Sequence, residues 1–346
     1  MNLEDANLEN EYRALREGVG VLDLSGSGRI ELSGGNAVQF LNGLVSNDIK
    51  SLQDGDGVLV AFPTLQGKLL ALARVYRDGE ALLLEVDGIN LEKIVRNLSR
   101  FIPAGGFFVR DLGAETGMIS LQGPRTAELI AVLTGVEIGG MVGYRLLTGT
   151  IGATSVRIAT HRRCGEVGCD LIIPVAGLEE VRRMILAAGS GYGGRLVGEE
   201  SFETARIEAG VAREGVDTGE DYIILETGLE DAVSYTKGCY LGQEVIARIH
   251  WRGQPARQLR GLLPDQPLDS LAELELRAID GSQAGRKVGT ITSATNSPAL
   301  GRPIALGYVH RYYLNTGTIL EIFRGERRLC QAVVTTLPFT TTAASA

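Results

Sequence analysis

Hydrophobic positions follow two different periods along the first 250 residues. Val58-Leu59-Val60-Ala61, Leu69 to Tyr76 and Ala81 to Val86 are short runs rich in strand formers. Ala37, Phe40, Leu41 and Leu44, and again Leu91, Ile94, Val95 and Leu98, recur instead at the spacing of one helix face. Pro124 stands where a helix begins, with Ala127, Ile130 and Leu133 on one side behind it, and Leu178, Val181 and Ile185 mark a further helix. Val156, Ile158 and Leu171-Ile172-Ile173 flank a turn at Gly165 as strands. This mixture predicts an α+β region. Beyond Pro255 the pattern changes to six short strand-like runs, Leu259 to Leu263, Leu274 to Ala278, Val288 to Ser293, Ile304 to Val309, Ile319 to Phe323 and Leu329 to Thr335, separated by Gly, Pro and Asn. Such punctuation predicts a barrel or sandwich, with the boundary near residues 255–265.

Composition narrows the function classes. With 346 residues the chain exceeds one ordinary core, so two or three domains are expected, and 44% hydrophobic with 22% charged residues is normal globular usage. A net charge of −8 argues against a general nucleic-acid partner. Arg248, Arg252, Arg257 and Arg260 are read as a solvated face or as a local holder of an anion. No apolar run approaches the roughly 20 residues that span a bilayer, so no membrane partner is expected. The start, Met1-Asn2-Leu3-Glu4-Asp5, is acidic where a signal peptide is basic and then apolar, and the expected location is the cytoplasm. Four cysteines are expected there as thiols. The only compositionally biased stretch is the threonine- and alanine-rich end after Phe339.

Three constellations suggest chemistry. Lys237-Gly238-Cys239-Tyr240-Leu241-Gly242-Gln243-Glu244 puts a cysteine between a lysine and two glycines just before a predicted helix. Lys237 and the helix N-terminus, if close, favour a thiolate, and Cys239 is then reactive; the alternative is a small buried hydrophobe. His161-x2-Cys164-x4-Cys169 offers three metal-ligand types, but it spans a turn between two strands, and neighbouring hairpin positions explain it without a metal. Glu208 falls in the last turn of a helix read from Glu199 to Ala209 and ended by Gly210. The macrodipole disfavours an anion there by roughly 0.3–1 kcal/mol, so something should compensate it. Arg206, two residues away, does not lie beside it on an ideal helix.

Long stretches resemble a known family. The run from Lys237 to Glu244 resembles the K-G-C-[YF]-x-G-Q-E signature of YgfZ-type folate-binding proteins, relatives of the glycine-cleavage T protein, an aminomethyltransferase. Leu22-Asp23-Leu24-Ser25 through Arg29, Phe40-Leu41 and Ser46-Asn47-Asp48 are similar to the opening of that superfamily, and Gly165-Glu166-Val167-Gly168 to its G-E-D-G turn. Arg206-Ile207-Glu208-Ala209-Gly210 resembles R-x-E-A-G, Leu225-Glu226-Thr227-Gly228-Leu229 resembles L-E-A-G-L, and the stretches from Gly289, Ser297 and Ile304 resemble the last domain. The resemblance implies a three-domain cloverleaf around a central folate channel. Residues 1–255 would form two intertwined α+β domains and residues 256–340 a C-terminal β-barrel. It implies tetrahydrofolate, or a one-carbon derivative, as cofactor. Glu208 would accept from the pterin's ring N–H and amino group, and Asp87 stands where the T protein carries an asparagine facing the pterin, a capping role being the alternative. Lys237, from the cysteine motif, and Arg248, from the basic patch that could hold the folate tail's carboxylates, are further candidate binding residues, and Cys239 inherits the key functional role.

One departure bears on activity. Aminomethyl transfer in the T protein depends on an aspartate within G-G-x-L-D-D, and the matching stretch here is Gln66-Gly67-Lys68-Leu69-Leu70-Ala71. Leucine and alanine neither exchange protons nor stabilise a cation, and losing well-placed acid–base help costs roughly 100- to 10,000-fold. Gln66-Gly67-Lys68 resembles the x-G-K stretch of YgfZ-type proteins. The leading expectation is therefore a tetrahydrofolate-binding protein that assists iron–sulfur cluster assembly or maintenance, with cluster enzymes such as those thiolating tRNA downstream. The second is a folate-dependent one-carbon transferase or demethylase that uses other acid–base residues, with Glu226, Asp48 and Tyr235 as candidates. A purely structural module with an inert, buried Cys239 is the third. Whether a reaction is catalysed stays open at this point.

Overall fold

The computed structural model describes residues 3–279 and 284–340; the ends, including most of the threonine- and alanine-rich tail, lie outside the described residues. The first sheet holds β2 (Gly28–Ser33), β3 (Asp56–Pro63), β4 (Leu69–Asp78), β5 (Ala81–Val86) and β6 (Phe108–Asp111) in the order β3-β4-β5-β2-β6. The second holds β1 (Val19–Asp23), β7 (Thr116–Gln122), β8 (Tyr144–Ile151), β9 (Thr154–Thr160), β10 (Gly168–Pro174) and β11 (Gly194–Leu196) in the order β11-β1-β7-β10-β9-β8. They join where Asp56 and Gly57 of β3 pair with Arg145 and Tyr144 of β8. The chain enters the second sheet through β1, builds the first, and returns to the second at β7.

Each sheet buries its outer face under two helices. Helices α2 (Ala37–Leu44) and α3 (Gly88–Ser99) set Leu41, Ile94 and Leu98 against Ile30, Val60, Ala73, Val75 and Leu84. A one-turn helix, α4 (Ile102–Gly105), follows. Helices α5 (Thr126–Thr134) and α6 (Leu178–Gly189) set Leu129, Ile130, Val181 and Ile185 against Val21, Ile119, Ile158 and Leu171. Strand periodicity then turns the alternate residues to the inner faces. There Tyr76, Leu83, Met118, Leu146, Ala159 and Ile172 pack together between the sheets.

Helix α7 (Glu199–Glu208) connects this body to the last domain, and α1 (Leu3–Glu17) and α8 (Gln243–Arg252) pack beside the sheets. Helix α1 lies against α7, and Glu11 accepts from the Gly198 amide (2.9 Å) and Ser201 Oγ (3.0 Å), capping the α7 N-terminus where an anion is favoured. Helix α8 covers Leu69 and Leu72 of β4 through Ile246. All six strand-like runs beyond Pro255 are strands: β12 (Arg257–Pro264), β13 (Leu274–Ala278), β14 (Lys287–Ser297), β15 (Arg302–His310), β16 (Ile319–Arg324) and β17 (Arg327–Thr335). They close into a barrel in the order β12-β15-β14-β13-β16-β17 around Leu262, Leu276, Leu320, Ile322 and Val334. Among the described residues no helix is long and apolar enough to cross a membrane.

Candidate functional site

A cavity of about 360 Å³ lies where the inner sheet faces meet α7 and the turn that follows it. Its volume falls within the range of small-molecule sites. Leu22, Leu24, Val197 and Phe202 supply apolar wall; β4 contributes Leu72 and Arg74; Glu85, Asp87, His161, Arg163, Glu203, Arg206 and Glu214 supply polar groups.

The floor is a buried ionic cluster whose charges pair with one another, with His161 Nδ1 3.5 Å from Asp170 and without a hydrogen bond. Arg74 donates from Nε to His161 Nε2 (3.0 Å) and from Nη1 to Glu85. Arg163 reaches Glu85 (3.0 Å) and both oxygens of Asp170 (2.8–3.2 Å). Burial alone would raise the Glu85 carboxyl, but Arg74 and Arg163 outweigh it and hold it at about 2; Arg163 and His161 likewise hold Asp170 low against burial. Burial, then Arg74 and Arg163, push His161 down to about 3, so its imidazole is neutral at pH 7. Glu85, His161 and Asp170 bring ligand-type atoms within 4.8 Å of one another. Arg74 already occupies His161 Nε2, and the guanidinium groups hold both carboxylates, so a metal ion would replace existing bonds and face two cations.

Two other carboxyls in the wall form no ion pair among the described residues. Asp87 caps α3 by accepting from the Ile89 amide (3.1 Å). Glu214 accepts on one oxygen, Oε2, from the Leu72 amide (3.0 Å) and Asn90 Nδ2 (2.6 Å). Burial pushes Glu214 up to about 7. Sequence reasoning missed this residue, because nothing in Ala212-Arg213-Glu214-Gly215 separates it from an exposed turn.

Glu208 does not line the cavity. It is fully buried, and its carboxylate accepts from Arg16 Nη2 (2.6 Å), Tyr12 Oη (2.7 Å), Ser297 Oγ and the Ala299 amide (3.3 Å). These donors supply the compensation that its helix-end position requires, and they replace the pterin contact expected from R-x-E-A-G. Arg206 of the same motif pairs with Asp217 (2.5 Å) and reaches Ser293 Oγ of β14 (2.7 Å). The motif therefore binds α7 to α1 and to the barrel.

Lys237 does not line the cavity either. Its Nζ donates to the carbonyls of Asn42 (2.6 Å), Val45 (2.8 Å) and Asn47 (2.7 Å), closing the C-terminal end of α2, and burial lowers it to about 8. Arg248 is exposed and pairs with Glu244 one helical turn earlier (2.7 Å). Cys239 is exposed, whereas Cys164, Cys169 and Cys330 are buried; Cys164 and Cys169 belong to different cores. Glu226 pairs with Arg257 (3.3 Å), Asp48 holds a turn through the Lys50 amide (2.9 Å), and Tyr235 stacks on His250 (3.8 Å between centroids); none of the three lines the cavity.

The two segments that resemble the YgfZ-type branch meet in space. Gly242, at φ +76°, packs so closely on the turn before β4 that a Cβ would lie 2.4 Å from the Thr64 carbonyl oxygen, and one on Gly67, at φ +74°, would lie 3.1 Å from Val245. The apolar replacements for the T-protein acidic pair sit just beyond this contact. Ala71 is buried against α2 and α3 and half-buried Leu70 packs on the same core, so neither lines the cavity.

The GCVT N-terminal domain family matches residues 2–237, and the glycine cleavage T-protein C-terminal barrel domain matches residues 257–340. The aminomethyltransferase of Moorella thermoacetica is 31% identical over 346 aligned positions, covering 98% of this chain and 91% of its own. That of Desulforamulus reducens is 30% identical, covering 94% and 87%. Among solved structures, the glycine cleavage system aminomethyltransferase T of Bartonella henselae superposes with a TM-score of 0.83 over 96% of this chain and 90% of its own at 22% identity, which establishes the T-protein fold with its six-stranded barrel. Proteins of this family use tetrahydrofolate. The two matched domains cover the sheets, the cavity and the barrel described above, and the chain belongs to the glycine-cleavage T-protein family.

Proposed function

We propose that the central cavity binds tetrahydrofolate or a one-carbon derivative and that the protein acts there as a folate-dependent one-carbon transferase of the aminomethyltransferase kind. The cavity itself carries this reading: Leu22, Leu24, Leu72, Val197 and Phe202 line it, and it presents two carboxyls that form no ion pair among the described residues, Asp87 and Glu214. A pterin is planar and rich in N–H donors, which suits apolar walls interrupted by acceptors. Leu24, Leu72 and Phe202 would hold the ring, and Asp87 would accept from it. Bound tetrahydrofolate supplies the nitrogen that receives a one-carbon unit. The family's aspartate is absent, so the proton traffic falls to the carboxyls of the wall. Residues 1–255 form the ligand-binding region of a cytoplasmic protein, and residues 256–340 the barrel that braces it.

Calorimetric titration with tetrahydrofolate tests the reading. Wild type should bind saturably, and Ala212→Trp, which places bulk on the cavity wall, should abolish binding while the protein stays folded. Unchanged binding by that variant places the ligand elsewhere; no binding by wild type removes folate from the account.

A second reading is supported by the exposure of Cys239. A YgfZ-type role in iron–sulfur cluster assembly needs an accessible thiol that can meet a partner, since one cysteine does not hold a cluster alone. The meeting of Gly67 with the segment of Gly242 and Val245 supports the same branch. Deleting the gene and restoring it with Cys239→Ala decides: lost activity of iron–sulfur enzymes, such as those thiolating tRNA, favours this role, and full rescue favours the cavity alone.

A further inference from the structure

The barrel holds one cavity residue in place without lining the cavity itself. Glu214 stands on a tight turn in which the Arg213 carbonyl takes the amides of Asp217 (2.8 Å) and Thr218 (3.1 Å). Asp217, fully buried, pins this turn to the barrel. Its carboxylate accepts from Arg206 (2.5 Å), Ser293 Oγ (2.8 Å), Thr292 and the Arg213 amide (3.0 Å), and its carbonyl accepts from Tyr308 Oη (2.7 Å). The turn sets Glu214 against β4 and α3, where Leu72 and Asn90 share its Oε2. No donor among the described residues meets Oε1.

The charged groups around Glu214 are committed elsewhere. Arg74 of β4 holds Glu85 and His161, Arg163 holds Asp170 and Glu85, and the neighbouring Arg213 pairs with Glu199 (3.0 Å) and Glu203 (3.1 Å) of α7. Asp87 and Glu85 add negative charge from the end of β5. Glu214 thus lines the cavity as an acceptor held at one oxygen, with Arg74 favouring its charge from a distance but forming no ion pair with it.

We infer that Glu214 is the carboxyl that reads the cavity's ligand, its free Oε1 accepting from the ring N–H and amino donors of a bound pterin while Leu72 and Asn90 fix Oε2. This rests on the tetrahydrofolate reading and deepens it: those donors require the carboxylate, so binding draws Glu214 into its ionised form. Because burial has raised the carboxyl to about 7, the free protein carries a substantial share of it protonated at neutral pH. Each molecule that loads a protonated Glu214 releases that proton to the buffer, and affinity rises with pH until Glu214 is ionised without help.

Calorimetry of the full chain with tetrahydrofolate, repeated at pH 7 in phosphate and in Tris, reads the proton directly from the difference in heat. Wild type should release about half a proton per ligand and bind several-fold tighter at pH 8 than at pH 6. Glu214→Gln should release none, lose the pH dependence, and bind roughly 10-fold or more weakly at pH 8, the loss of a charge-assisted contact. Binding by wild type with no proton exchange overturns the role of Glu214 and leaves the folate site standing, as does a Gln variant that keeps both affinity and proton release. No binding by wild type overturns both.

Discussion

Glu208 and Glu214 lie on one short stretch of chain and end in opposite circumstances. Glu208 sits in the seam between α1, α7 and the barrel, where every contact is a donor: arginine, tyrosine, serine and a backbone amide. Glu214 sits in the cavity wall with one oxygen held by two donors, and with Arg74 as well as Asp87 and Glu85 acting on its charge, none of them paired with it. The same side chain is a rivet in one place and a reader in the other. What separates them is the list of partners, which depends on segments nearly 200 residues away in sequence for Glu208 and more than 100 away for Glu214. The family-like R-x-E-A-G motif marks the rivet. The residue that faces the cavity belongs to no motif identified in the sequence.

The comparison breaks most visibly in stability. Glu208→Gln leaves Arg16 beside a buried neutral amide, and removing one partner of a buried pair costs roughly 3–5 kcal/mol. Urea unfolding should show a midpoint well below wild type, while protein that remains folded keeps its tetrahydrofolate affinity; a variant as stable as wild type would dissolve the distinction between seam and cavity. Gly242→Ala comes next. It forces a side chain into a left-handed backbone and against the Thr64 carbonyl, for roughly 1–3 kcal/mol. The same measurement checks it.

Glu214→Gln should change stability by about 0.5 kcal/mol or less at pH 4, where the wild-type carboxyl is already neutral. The pH profile carries the signal. The folded-state value of Glu214 lies above its unfolded value of 4.5, so the folded protein holds this proton more tightly. The stability it contributes is fully present below about 4.5 and is lost as pH rises through about 7. Relative to wild type, the Gln variant should therefore gain stability between pH 5 and pH 8. A parallel pair of profiles would mean that Glu214 is solvated like any surface carboxylate. Asp87→Asn sharpens the same point, since asparagine caps α3 as well as aspartate does and matches the family's residue. It should leave stability unchanged and tetrahydrofolate binding intact.

The outer faces of this fold were legible in the sequence because each buries one apolar side against helices, which period-two and period-3.6 patterns report directly. Strands β3, β4, β5, β9 and β10 and helices α2, α3, α5 and α6 carry that signature, and the barrel strands showed as short apolar runs punctuated by Gly, Pro and Asn. Helix α1 did not, since among its last eleven residues only Glu11, Ala14 and Leu15 are buried and its contribution is made by Tyr12, Arg16 and Glu11 as hydrogen-bonding groups. The inner faces were equally silent. Glu85 and Asp170 interrupt apolar strands as though they were surface residues, yet both are buried by arginines from another strand and a loop. Periodicity reports which side of an element is apolar; it does not report which charges meet across a cavity.

Cys239 gives the smallest expected effect and the cleanest contrast with the buried seam. Its thiol is exposed, and the lysine two residues before it spends its ammonium on three carbonyls at the end of α2. Burial pushes Cys164 and Cys330 up to about 11 and raises Cys169 as well, so those thiols are both hidden and protonated at pH 7. Brief alkylation of the native protein followed by mass spectrometry should therefore label Cys239 alone. Cys239→Ser should leave the urea midpoint within about 0.5 kcal/mol of wild type. Lys237→Met should lower that midpoint, because three carbonyls lose their donor, while the alkylation rate of Cys239 stays as it was. A rate that falls with the lysine would show that the ammonium reaches the thiolate after all, and would move Lys237 from the frame of the motif to its chemistry.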